Sequence, residues 1–289
     1  MIDLKYHIAS LVAIFCALAI GVFIGSNLVG NEVLIEQQKE VVARLEQEFN
    51  TLRDQNKLIQ EELNMLEDRA EEYRRYSEQV FPLVVGGRLN GVRIAVIETN
   101  SQGLAEKVEK ALITAGADVV YVIIMDWNSV PDLKELVAKY ADEDKGAKEN
   151  DVRTAAAKML GEAVAEGKNK DFLSELVNSG FLKIKGAGLG QKVEGIVFIE
   201  GDEKERNAVV DSFNLPLLEY YLSLGSKAVI GEYEGAKFSY LDKYKAKPVT
   251  TVDNIDNPIG LTSMVYSFSG KIGNYGTGKT AEKLIPEIE

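Results

Sequence analysis

Apolar and polar residues follow three successive patterns along this chain. From Ile8 to Gly30 the sequence IASLVAIFCALAIGVFIGSNLVG runs twenty-three residues without a charge. At ~1.5 Å per helical residue, that is enough to cross a hydrocarbon core of roughly 30 Å. Backbone groups in lipid must bond to one another, so the stretch predicts a transmembrane helix. A cleaved signal peptide would have a shorter apolar core, about 7–15 residues, and a small-x-small site after it. Here no Ala-x-Ala follows and a charged helix begins almost at once, which favours an uncleaved signal anchor over residues 1–30. Ala9, Ala13, Ala17, Gly21 and Gly25 recur every fourth residue and share one face. Small residues let membrane helices approach closely, so this face is expected to contact another helix.

The second pattern covers residues 31–81, rich in Glu, Gln, Leu, Lys and Arg. With heptad position a at Ile35, Val42, Phe49, Asn56, Leu63, Ala70 and Ser77, position d falls on Gln38, Leu45, Leu52, Ile59, Leu66, Tyr73 and Val80. Eleven of these fourteen positions are apolar, a coiled-coil signal sustained over seven heptads. The contact set is led by Val42, Leu45, Phe49, Leu52, Asn56, Ile59, Leu63 and Leu66. A buried Asn at a, here Asn56, fixes register and a two-stranded state at some cost in stability. Glu48 with Arg53 would attract across a parallel pair, whereas Glu62 with Glu67 and Arg69 with Arg74 would repel. The membrane sets the orientation instead, since two copies inserted the same way run parallel. The expectation is a parallel homodimeric stalk rather than one amphipathic helix folded back on its own domain. Phe81-Pro82 is expected to end it, because Pro lacks a donor and clashes with the preceding turn.

From residue 82 to 289 short apolar runs alternate with helical ones. Strands are expected at 92–98, 117–125, 193–200, 227–232 and 249–252. Helices are expected at 103–115, 131–140, 151–166, 170–179, 207–224 and 259–268, with the acidic stretch ADEDKGAKEND between the second and third. Near-continuous apolar strands alternating with helices indicate a mostly parallel sheet covered on both faces. The chain is therefore read as α/β: an N-terminal transmembrane helix, a long coiled-coil helix, then a doubly wound Rossmann-like domain.

Charge and composition narrow the function. Lys and Arg total 33 against 45 Asp and Glu, a net −12, and no basic run appears. Phosphate neutralisation needs clustered cations, so nucleic acid is excluded as a partner. Asp3, Lys5, His7 and the amino terminus precede the apolar run, and Glu32, Glu36, Lys39, Glu40 and Arg44 follow it. That asymmetry favours an N-terminus in the cytoplasm of a bacterial cell, with the bulk of the chain outside the cytoplasmic membrane. The one cysteine, Cys16, lies in the apolar run, so intrachain disulfides and Cys-based zinc sites are ruled out. The one histidine, His7, precedes the membrane, leaving the large domain no Ser–His or Cys–His pair. No enzyme activity and no cofactor are expected.

The glycine motifs mislead. Gly273-Asn-Tyr-Gly-Thr-Gly-Lys-Thr280 matches G-x-x-x-x-G-K-[ST], but a phosphate loop needs a strand before it and a helix after it. Here a helical pattern precedes and nine residues follow, so a turn docking the C-terminal tail is expected. Gly186-Ala-Gly-Leu-Gly190 precedes a strand, whereas a dinucleotide loop follows one. Ligands of doubly wound sheets bind beyond the carboxyl ends of strands, which makes Asn100, Ser101, Asp126 and Glu200 the cleft candidates. For Asn100 or Ser101, capping of the next helix is the preferred reading over a cleft role.

The opening MIDLKYHIASLVAIFCALAIGVFIGSNLVG, the coiled coil after it, NIDNPIG at 254–260 and the ending GNYGTGKTAEKLIPE resemble the MctB-like copper transporter family. A tail pattern YG-x-x-x-x-A-x-x-L-x-P is matched by Tyr275, Gly276, Ala281, Leu284 and Pro286. The resemblance implies a role in copper homeostasis or transport, in some lineages at an outer membrane. Related proteins of some Gram-positive bacteria imply another role, as a cell-envelope or cell-division scaffold that binds a partner protein. No metal-ligand residues carry over, so copper enters through the resemblance alone.

Overall fold

The computed structural model describes residues 4–140, 148–270 and 272–287, without the side chains of residues 27–33. Asp3 and residues 141–147 of the acidic stretch lie outside the described residues. The chain divides into two compact units, residues 1–72 and 73–289.

The described residues of the first unit are helical. Helix α1 runs Leu4–Val85, and its segment Leu4–Ser26 is long and apolar enough to cross a membrane. Beyond it the expected seam is a line of exposed apolar side chains, from 47% exposed at Leu63 to 67% at Phe49. A solvated helix with such a stripe is incomplete alone, because apolar burial drives helix association.

Pro82 does not end α1; it sits inside the last turn. One helical bond is lost there, but Phe81 and Val84 pack against the α/β core and Val85 is fully buried in it. The Val84 carbonyl accepts from Tyr266 Oη at 3.1 Å, and Gly86 N–H closes onto the Pro82 carbonyl at 3.0 Å.

The second unit follows the expected alternation: β1 Arg93–Glu98, α2 Ala105–Thr114, β2 Asp118–Met125, α3 Leu133–Tyr140, α4 Glu149–Glu166, α5 Lys170–Asn178, β3 Leu182–Lys185 and β4 Gly195–Glu200. Then come α6 Asn207–Val209, a π turn Val210–Asn214, α7 Leu215–Ser223, β5 Lys227–Glu232, α8 Leu241–Tyr244, β6 Thr250–Asp253, α9 Pro258–Ser267 and β7 Asn274–Gly276. The π turn has a local cause. Pro216 offers no N–H to the Ser212 carbonyl, which accepts from Thr154 Oγ1 at 3.0 Å instead.

The seven strands are ordered β3-β2-β1-β4-β5-β6-β7, parallel except for the antiparallel edge strand β3. One face, with Ala95, Ile97, Ile196, Phe198 and Ile230, is covered by α3, α4, α5, α7 and α8. The other, with Ile94, Val96, Val197, Ile199 and Val229, is covered by α2, α9 and the end of α1. The sheet is open-edged and covered on both faces, which sets it apart from a lipid-facing barrel.

Candidate functional site

In a doubly wound sheet the chain leaves neighbouring strands in opposite directions at one point, and the crevice there is the usual ligand site. Here that point lies between β1, which continues toward β2, and β4, which continues toward β5. A cleft of about 580 Å3 opens there, lined by the β1 loop Asn100–Gly103, by Asp126 and Asn128 after β2, and by Asp202, Glu203, Lys204 and Arg206 after β4.

Three of the four cleft candidates meet at this place. Asn100 Nδ2 donates to the Glu200 and Gly201 carbonyls at 3.1 and 2.6 Å, tying the β1 loop to β4. Ser101, at φ +54°, donates through Oγ to the Met125 carbonyl and ties the same loop to β2. Asp126 Oδ1 accepts from the backbone and side-chain nitrogens of Asn128 at 3.0 and 3.1 Å. Glu200 does not line the cleft; it turns into the core and is buried. Its carboxylate accepts from Tyr244 Oη at 2.7 Å and from Asn214 Nδ2 at 3.0 and 3.2 Å.

Neither Asn100 nor Ser101 caps α2. That role falls to Glu98, the last residue of β1, which sequence reading missed. Its buried carboxylate accepts from the N–H groups of Gly103, Leu104 at 3.2 Å and Ala105 at 2.9 Å. A helix N-terminus at this place in a dinucleotide-binding fold holds phosphate. In this chain the same donors are satisfied by an internal anion.

Glu98 belongs to a row. The parallel strands β1, β4, β5 and β6 all end in an acid, Glu98, Glu200, Glu232 and Asp253, and all four are buried. Glu200 stands in register with Glu232 on the neighbouring strand. Burial pushes the Glu200 carboxyl up to about 7, against hydrogen bonds from Tyr244, Thr99 and Asn214 that pull it down. Burial likewise lifts Glu232 to about 7, helped by repulsion from Asp253, and Glu232 Oε2 is sealed without a hydrogen-bond partner.

Asp253 explains the false phosphate loop. Its Oδ2 accepts from Thr280 N–H at 3.0 Å and Thr280 Oγ1 at 2.8 Å. Thr277 Oγ1 accepts from Asn254 Nδ2 at 2.8 Å and Asn257 Nδ2 at 3.2 Å, while Asn257 Oδ1 caps α9 at Gly260 N–H. Gly276, at φ +123°, lies so close to the Asp253 backbone that a side chain would collide with it. The segment is an edge strand and a turn, not a strand–loop–helix, and it docks the C-terminal tail as expected from its sequence context. NIDNPIG and GNYGTGKT thus fold onto each other as one unit.

Among the described residues, no group of three or more His, Cys, Asp or Glu side chains is placed to hold a metal ion. A family model described as copper transport outer membrane protein, MctB, matches residues 1–286. The chain belongs to this family. No curated protein matches it. The match runs through the apolar helix, the seam and the α/β domain alike, so the family is defined by the whole architecture rather than by a local motif.

Proposed function

We propose that this chain is a non-enzymatic, single-pass membrane protein that serves copper handling as a parallel homodimer. It holds its α/β domain outside the cytoplasm and acts through a protein partner rather than by ligating the metal itself. The observation that carries the reading is the seam of α1. Val42, Leu45, Phe49, Leu52, Ile59, Leu63 and Leu66 follow a heptad line and are exposed in a single copy. The five-residue Ala/Gly face of the membrane segment offers the same partner a close approach.

Copper enters from the family to which the chain belongs. Protein copper sites favour Cys, Met and His ligands, and the sequence has one Cys, one His and five Met. Met125, Met159 and Met264 are buried in the apolar cores of the domain. That supply supports a role exerted through a partner.

Titration of the purified full chain in detergent with Cu(I) and Cu(II) tests this. The expected result is no saturable stoichiometric uptake; uptake of one or more equivalents would contradict it. The alternative, a cell-envelope or cell-division scaffold without a copper role, rests on the same seam and domain. A deletion strain whose growth is indifferent to copper would favour that alternative, and copper-sensitive growth would favour the first.

A further inference from the structure

We propose that the apolar groove where α1 meets the α/β domain receives the Tyr76 side chain of a second copy of this chain. The inference rests on the parallel-dimer reading and adds the contact by which the paired helices engage the domain. The groove, about 250 Å3, is lined by Tyr76, Ser77, Val80, Phe81 and Val84 of α1, with the chain's own Tyr76 at its rim, and, opposite, by Ile259 of α9 and Leu284 of the tail.

The seam leads directly into it. Ser77 and Val84 are a positions and Val80 is a d position of the register that begins at Ile35. In parallel pairs a g residue of one helix meets the e residue five positions on in the other. Those pairs here are Val41–Glu46, Glu48–Arg53, Gln55–Gln60, Glu62–Glu67, Arg69–Arg74 and Tyr76–Phe81. Five of them contain a charged or amide side chain; the last joins two aromatic ones, and Phe81 is the residue beside which the groove opens.

Exposure points the same way. Tyr76 stands at the rim with 66% of its surface exposed, and Leu83, about two turns further on, is 83% exposed. A two-fold related copy places each Tyr76 against the other copy's Phe81 and closes both grooves at once. Ring burial against apolar walls, with edge contact to Phe81, favours this arrangement.

The test uses the full chain in native membranes, in a Cys16→Ser background. Leu52→Cys, at a d position, reports the dimer by disulfide formation. In a separate variant the photoreactive residue p-benzoylphenylalanine replaces Tyr76, which is exposed and whose replacement leaves the core intact. The expected result is a Leu52 disulfide dimer together with photocrosslinks to a second copy, mapped by mass spectrometry to Phe81, Ile259 or Leu284. A Leu52 dimer without those crosslinks, or with crosslinks to another protein, overturns the groove contact and leaves the dimer standing. Absence of both overturns the dimer and the contact together. Tyr76→Cys combined with Phe81→Cys is expected to give several-fold more interchain disulfide than either alone, since five residues along one helix is too far for an intrachain bond. Equal yields in the double and single variants would also contradict the contact.

Discussion

Glu98 carries more of the domain's local order than any other side chain at the strand ends. Three backbone donors at the start of α2 end on its carboxylate. Glu98→Ala takes the acceptor from all three donors, of which Gly103 lies exposed and Ala105 buried, at about 1–3 kcal/mol for a group that stays dry. The expected loss in urea unfolding of the full chain is roughly 3 kcal/mol, with Glu98→Gln retaining about half, because one amide oxygen still accepts. Glu200 and Glu232 act through their protons. Each has its carboxyl raised from 4.5 to about 7, so the folded chain holds protons that the unfolded chain has released. The contribution of these two groups is therefore fully present below pH 4.5, falls as pH rises toward 7, and is lost above it. For Glu200 the fall amounts to ~3 kcal/mol, and thermal melts of Glu200→Gln across this window are expected to be flatter than those of the native chain. Little of this was legible in the sequence. That RIAVIE, GIVFIE, KAVIGE and TTVD each end in an acid is visible there. Which acid caps a helix and which turns into the core depends on where the following loop goes.

At the scale of elements, five of the seven strands were legible, four because their centres are apolar runs and β6 because the stretch 249–252 is β-branched throughout. The two missed are short: β3 is four residues of alternating burial at an antiparallel edge, and β7 is three residues after a glycine. The π turn and the continuation of α1 through Pro82 were missed because tertiary contacts offset the helical bond each proline removes, a hydrogen bond from Thr154 in the first case and apolar packing of Phe81, Val84 and Val85 in the second. The tail unit gives a direct test. Asp253→Ala removes the acceptor for Thr280, and the expected result is faster amide exchange at Gly276 and Thr280 with β1 and β4 unchanged. Uniform exchange across the sheet would show instead that Asp253 supports the whole fold. In the seam, Asn56→Val is expected to raise the melting temperature of the helical signal while admitting assemblies larger than two, read by sedimentation in detergent.

At the scale of the molecule, the apolar N-terminal helix, the long helix after it and the α/β domain were all legible, because each rests on a composition period that a single sequence displays. The family was legible only through the likeness that the family match bears out over residues 1–286. The domain's strand-end crevice, where such folds place ligands, is crossed by Asn100 and Ser101, and its helix N-terminus is filled by Glu98. Among the described residues, most of the exposed large apolar side chains lie on α1. The account therefore turns on pairing of two chains. Multi-angle light scattering of the full-length protein in detergent, with the detergent mass subtracted, measures this most directly. The account predicts the mass of two 289-residue chains across the accessible concentration range; the mass of one chain would contradict it.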